Sequence, residues 1–383
     1  MIKKITLILC SLALCWTGYS QDEEEKLTAK PTGRVLMDAG LFNADRYNDQ
    51  FNDGVAIPDI RIGVEAEYGR WKTKVDVGFA YAKVSLKDVY IDYVFNKENM
   101  LRGGYFLHHF GLQSATGSSL KISKEEPAAN QAFYNSRLVG LMFIHSKKEF
   151  YGTLSLFAEN EAIKQTTDQL GNEGYGMMSR LVYRPLREPG RMLHVGFSGA
   201  FESPRYSAKA EDNHRSYALR AYFPTRIARV KAQQADITDA RMLYKFTPEV
   251  MASIGPLAIE AQYYFATVNR EKGMPDYRAS GAYAFLRGLI KGRNYSYSDD
   301  ESSIKTPSPG SMELVLGYNY TDLSDHKANI LGGRVNDWSF TFNYYLNKYM
   351  IWRVRGSLTQ ATDRAGYDNT NLSLIETRFQ VRF

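Results

Sequence analysis

Arg61, Lys72, Lys74, Arg180, Arg184, Arg220, Lys245, Arg353, Arg355, Arg378 and Arg382 share one property. Each falls on the polar side of a run in which apolar and polar residues alternate. Side chains on a β-strand point to opposite faces in turn, so such a run gathers its cations on one face. Cations on one face of a narrow, low-dielectric space raise the local concentration of anions. Arginine holds an oxyanion in its planar fork, whereas lysine offers a mobile point charge. The plainer reading is mutual neutralisation. Glu65 and Glu67 lie near Arg61 in sequence, Asp76 near Lys74, and Glu376 near Arg378, and such pairs brace a sheet without selecting any solute.

A second group sits on one long connection. After the run ending near Phe106, roughly 30 residues pass before the run at Arg137, well beyond an ordinary loop. Small residues and embedded cations mark 107–136 as a folded loop. Lys121, Lys124, Arg137 and His109 are its candidate anion contacts, although Glu125 and Glu126 follow Lys124 directly. His108 and His109 would point oppositely on an extended chain, so they are poorly placed to share a metal, and no metal site is read. A histidine reaching water would change charge near pH 6–7, its ordinary pKa being about 6.5. Packing or hydrogen bonding is the favoured role.

The elements that must position these residues are strands. In Asp59–Tyr68 every even position is apolar and most odd ones are charged. After Gly69-Arg70, residues Trp71, Thr73, Val75, Val77, Phe79 and Tyr81 alternate with Lys72, Lys74 and Asp76, which makes a hairpin. Further runs fall near 35–41, 85–95, 100–106, 137–145, 150–159, 177–184, 192–201, 216–223, 241–249, 257–268, 280–289, 312–320, 338–346, 350–359 and 371–383, about 17 in all. The last closes on Phe379-Gln380-Val381-Arg382-Phe383, and a terminal strand ending in an aromatic residue resembles the assembly signal of bacterial outer-membrane barrels. On such a barrel the apolar face meets lipid and the charged face a water-filled lumen. The soluble alternative, an edge strand of a β-sandwich, turns the apolar face into a core. Single-chain barrels have even strand numbers, so a transmembrane antiparallel β-barrel of 16 strands is expected, with 18 as the variant. The 27 Tyr and 20 Phe, many near strand ends, suit its interfacial girdles.

The remaining features agree. Lys3 and Lys4 precede an apolar stretch from Ile5 to Trp16, and Gly18-Tyr19-Ser20 offers a cleavage site, so residues 1–20 read as a secretory signal peptide. Residues 21–33 then form an N-terminal segment and 34–383 the barrel. Both cysteines, Cys10 and Cys15, lie in the leader, which leaves no disulfide framework. Cleavage removes two of 48 basic residues and none of 42 acidic ones, a net charge of +4 that gives no reason to expect nucleic acid. Mean hydropathy of -0.39 is too polar for a helical membrane protein and ordinary for a barrel. Short turns such as 69–70 and 347–349 alternate with longer connections such as 42–58, 269–279 and 292–311, which resembles periplasmic turns against outer loops.

Leu86–Tyr93, Arg102–Phe106 and Phe110–Gln113, followed by Gly310–Leu323, Gly332-Gly333 and Asn343–Asn347, resemble the phosphate-selective porin O/P family. The likeness is clear over roughly 80–135 and 305–383 and architectural between them. It implies a homotrimer of 16-stranded barrels, each narrowed by an inward-folded third outer loop and lined with anion-favouring arginines and lysines. Where members of the family often carry Lys-Thr-Pro before Phe-Gly-Leu, this chain has Leu107-His108-His109, which weakens the transfer of phosphate selectivity at that position but not that of the barrel or the loop. The expected protein is a passive outer-membrane channel for small anions, with phosphate foremost. Its other partners are outer-membrane lipid and the barrel-assembly machinery, addressed through Phe383. No cofactor is expected. A general porin with little ion preference is the alternative. An outer-membrane lipid hydrolase is the enzymatic rival, but no Gly-x-Ser-x-Gly, His-Glu-x-x-His or phosphate loop occurs, and His145-Ser146 is the sole neighbouring pair.

Overall fold

The structure, a computed structural model, describes residues 26–116, 121–134, 136–158, 174–205, 209 and 214–383. The expected signal peptide lies outside the described residues. In chain order the strands are β1 Thr28–Ala44, β2 Gly54–Tyr68, β3 Trp71–Gly78, β4 Ser85–Asn96, β5 Asn99–Phe106, β6 Leu138–Lys147 and β7 Phe150–Ala158. Then come β8 Tyr175–Glu188, β9 Arg191–Ser203, β10 Tyr217–Tyr222, β11 Lys231–Ile237, β12 Ala240–Ile254, β13 Leu257–Arg270 and β14 Tyr277–Lys291. The last are β15 Tyr297–Ser298, β16 Ser303–Ile304, β17 Met312–Asp325, β18 Ile330–Tyr345, β19 Met350–Arg364 and β20 Thr370–Arg382. Two short helices, α1 Leu112–Ala115 and α2 Ala128–Phe133, lie between β5 and β6.

Sixteen strands close into one antiparallel barrel in the order β1–β9, β12–β14 and β17–β20. The seam joins β1 to β20, from Arg34 opposite Arg382 to Ala44 opposite Leu372. Closure pairs every edge, which a sheet in lipid requires. Burial runs inside out. Leu358 and Ile375 on the outer face are 63% and 62% exposed, whereas Arg353 and Arg378 on the inner face are 1% and 0% exposed. A cation turned to lipid at mid-bilayer costs about 2–4 kcal/mol, and a one-residue slip would turn out a whole strand's set, so the alternation pins the register. β1 starts at Thr28, so part of the segment expected before residue 34 already belongs to the wall.

The run at 216–223 is not a wall strand. It is β10, which pairs only with β11 in a separate hairpin. β11 lies on the inner wall, where the Gln233 side-chain amide donates to the Thr321 carbonyl at 2.9 Å and the Gly333 carbonyl at 2.7 Å. Ala232, Ala235 and Ile237 are buried among Leu323, Val335 and Ala361. One face on a wall and one in water gives the same alternation as a barrel strand. Arg220 is therefore an exposed residue of this hairpin and not a lumen-wall cation.

Connections at one end of the barrel include 45–53, 107–137 and 204–239. The other end carries the short turns at 69–70, 148–149, 189–190, 255–256 and 346–349, together with the start of β1 and the end of β20. The long connection 292–311 belongs to this turn end, contrary to the expectation from its length. Its Tyr295 carbonyl accepts the Gly190 amide at 2.8 Å, and its hairpin of β15 and β16 points into the lumen. Short turns mark the periplasmic end of such barrels and longer loops the outer end.

Candidate pore and the segments docked inside it

The third loop, 107–137, folds into the barrel. It turns at Gly111 (φ 80), where an added Cβ would overlap the Gln262 amide, so glycine alone fits. The Gly111 amide donates to Ser198 Oγ at 3.0 Å, and Gln113 donates to Glu260 at 2.8 Å. Phe133 of α2 stacks on Tyr264, with ring centres 5.7 Å apart. On the far side of the lumen Ser123 reaches Thr341 at 3.1 Å. Lys124 Nζ donates to Glu376 at 2.6 Å and lies 3.4 Å from Asp38. Arg378 clamps Asp38 through two bonds of 2.7 Å and also donates to the Lys124 carbonyl at 2.7 Å. Glu125 accepts from Arg378 at 2.5 Å and from Arg226 of the fifth loop, 204–239, at 2.9 Å. Three carboxylates and three cations thus bind both loops to the β1–β20 seam. Burial alone would raise the Glu125 pKa, but Arg226, Arg378 and Lys124 overcome it and hold the carboxyl below its ordinary range.

Wall arginines hold the other docked segments in the same way. Arg355 donates to the Pro224 carbonyl of the fifth loop and to Asp337, both at 2.9 Å. Arg180 pairs with Glu249 at 2.7 Å and donates to the carbonyls of Glu301 and Ser302 at 3.1 and 3.0 Å. Arg184 donates to the Asp299 carbonyl at 2.9 Å. His194 bridges Glu249 and Tyr297, each at 2.7 Å. These arginine side chains are buried on the inner face of the wall. Their partners are backbone carbonyls far away in sequence, which periodicity does not reveal.

Four more of the expected wall residues are also paired: Arg61 with Asp59 at 3.1 Å, Lys72 with Glu67 at 3.4 Å, Lys74 with Glu65 at 2.7 Å and Lys245 with Glu202 at 2.5 Å. Of the loop candidates, Lys124 is wholly buried in its ion cluster and is not a solvated filter charge. His109 is buried, with Nδ1 2.7 Å from the Tyr151 hydroxyl. Burial lowers the His108 pKa to about 4 and holds that of His109 well below its usual value, so both are neutral near pH 7 and the charge change at pH 6–7, the less favoured of the two roles read for them, does not arise. Lys121 and Arg137 do face space. Lys121 bonds the Gln113 carbonyl and lies 3.5 Å from Glu126, while Arg137 pairs with Asp88 at 2.7 Å.

Three cavities follow one another through the lumen. An outer vestibule of about 430 Å³ is lined by Lys83, Lys87, Arg226 and Arg229 against Glu125 and Glu126. A middle cavity of about 260 Å³ adjoins it at Glu126 and Gln131, with Lys121 and Arg137 on its wall. An inner chamber of about 400 Å³ adjoins the middle one at Gln113 and Thr116, and carries Arg287, Lys305, Arg353 and Arg382 against Glu260, Asp300 and Glu301. Among the described residues Lys83, Lys87, Arg229, Lys305 and Arg382 form no ion pair. Of these, only Arg382 was singled out by its spacing.

The comparisons agree with this geometry. A sequence model of the family described as phosphate-selective porin O and P matches residues 30–383, nearly the whole chain. The chain belongs to that family. It is an outer-membrane porin, and family and fold together point to a channel rather than an enzyme. Of the neighbouring pair, His145 hydrogen-bonds Asn99 at 2.8 Å and Ser146 accepts from Arg184 at 2.8 Å. Solved structures similar to the porin include the loop L8 deletion mutant of OmpT, an outer membrane protein of Vibrio cholerae. It is 12% identical, with 92% of this chain and 99% of that chain covered and a TM-score of 0.59. A trimer form of OmpT scores 0.58 at 11% identity, covering 92% and 99%. An anion-selective porin from Comamonas acidovorans scores 0.56 at 10% identity, covering 94% and 100%. At these identities the likeness concerns the fold. Comparison with curated proteins gave no match.

Proposed function

We propose that this porin is a passive diffusion channel preferring small anions, with phosphate and related oxyanions foremost. The observation that carries the reading is the set of cations left, among the described residues, without ion pairs along the cavities: Lys83, Lys87 and Arg229 outside, Lys305 and Arg382 inside. A cation already held by a carboxylate contributes little field, whereas an unpaired one beside low-dielectric walls concentrates anions. Lys121 and Arg137 extend the basic lining through the middle cavity. The family name points to phosphate, and one structural relative is itself described as anion-selective. The same reading takes the porin to be a homotrimer, exported through a cleaved signal peptide at residues 1–20 and inserted into outer-membrane lipid by the assembly machinery acting on Phe383. The test is the single-channel reversal potential under a chloride salt gradient, repeated with phosphate added. Anion-side reversal with phosphate block supports the proposal. Reversal near zero without block leaves a general porin.

A further inference from the structure

We propose that the outer vestibule is a binding site for oxyanions carried on a flat ring, such as aryl phosphates. The inference rests on the anion preference proposed above and names the substrate class of its first station. The space is shaped by the second loop (79–84), the start of β4, the third loop and the fifth loop. Its volume of about 430 Å³ falls in the range of pockets that enclose a small organic ligand, and a bare phosphate would leave most of it as water. Aromatic rings line it beside the cations. The Arg229 guanidinium carbon lies 5.1 Å from the Tyr81 ring centre and 5.9 Å from that of Tyr222. A guanidinium flanked by rings offers its in-plane N–H groups, which match an oxyanion edge. Lys83 and Lys87 add two charges without ion pairs among the described residues.

The rings are held in place. Tyr81 sits in the left-handed backbone region (φ 52), and its hydroxyl donates to the Arg226 carbonyl at 2.6 Å, tying the second loop to the fifth. The Tyr222 amide donates to Gln131 Oε1 at 3.0 Å, tying the fifth loop to the third. Arg226 is itself engaged with Glu125, so Lys83, Lys87 and Arg229 receive the oxyanion while Tyr81 and Tyr222 face its ring. At the inner chamber Asp300 and Glu301 face the same space as Lys305 and Arg382, which makes it the poorer oxyanion site.

The experiment adds phenyl phosphate or inorganic phosphate to the loop side of single channels carrying chloride current. Phenyl phosphate is expected to block at a concentration about tenfold lower, the scale of one aromatic stacking contact. Tyr81→Leu with Tyr222→Leu should bring the two concentrations together. Arg229→Lys, which keeps the charge and loses the plane, should narrow the gap should the double variant fail to fold. Equal block by both compounds, or block by phenyl phosphate from the turn side alone, overturns the ring-binding site. A reversal potential without anion preference overturns the reading beneath it, and the two failures are told apart because that measurement needs no phosphate ester.

Discussion

The outer vestibule and the inner chamber have nearly equal volumes, about 430 and 400 Å³, and each has four basic residues on its wall. Their carboxylates separate them. Outside, Glu125 is consumed by Arg226, Arg378 and Lys124, and Glu126 lies against Lys121. Inside, Asp300 and Glu301 are offered to the chamber, and Arg287 is spent on Glu313 at 2.8 Å. The docked loops at the outer end use up their own acids and leave cations over. The insertion at the inner end is held by its carbonyls and leaves its acids over. A pore's field is thus decided less by how many cations line it than by which groups are used to anchor the segments inside it.

Breaking the outer anchor gives the largest effect. Lys124→Met leaves Asp38 and Glu376 buried with one cation fewer, and removing one partner of such a cluster costs about 3–5 kcal/mol. Urea unfolding of the barrel in detergent should show that loss, whereas the unpaired outer cation in Lys83→Gln should change stability by no more than about 0.5 kcal/mol. Equal losses would remove the distinction between anchoring and free cations.

Acid sharpens the comparison in two ways. His108 is neutral in the folded porin, with a pKa of about 4 against about 6.5 unfolded. The unfolded chain takes up the proton first, so stability is full above pH 6.5 and falls by up to about 3 kcal/mol as pH drops towards 4. At the inner chamber burial raises the Glu301 pKa, so its carboxylate is neutralised early on acidification and the chamber becomes more positive. Anion preference should therefore rise as the turn-side solution is acidified, and Glu301→Gln should abolish the rise. Between pH 6 and 8 the buried histidines should leave conductance flat.

Three smaller effects concern the seam and the insertion. An added Cβ at Gly33 would lie 2.4 Å from the tip of the exposed Phe383 ring, which can swing aside, so Gly33→Ala should change stability by no more than about 0.5 kcal/mol. Deleting Phe383 should slow insertion, and normal barrel yield after that deletion would remove its part in assembly. Deleting 296–304 at the inner end should raise unit conductance by about a factor of two while keeping the anion preference. Lost preference would move the filter inward.

Strict alternation at Asp59–Tyr68 and Trp71–Gly78 made wall strands legible, because lipid on one side and water on the other enforce period two. The same period misled at 216–223, where a lumenal hairpin also has one wet and one apolar face. Counting that run as a wall strand moves 292–311 to the loop end, and its length pointed the same way. The inward third loop was legible through its length and family likeness. Which cations stay unpaired was not, since Arg180 with Ser302 and Arg378 with Asp38 are brought together only by closure of the barrel.

The most direct test compares single-channel reversal potentials under a chloride salt gradient for the wild-type porin and two variants. One is Lys83→Gln, Lys87→Gln, Arg229→Gln at the outer end, and the other Lys305→Gln, Arg382→Gln at the inner end. The wild type should reverse on the anion side, the outer variant should lose most of that displacement, and the inner one should keep most of it. An outer variant indistinguishable from a strongly anion-preferring wild type, or a wild type without preference, would contradict an outer-end origin of selectivity.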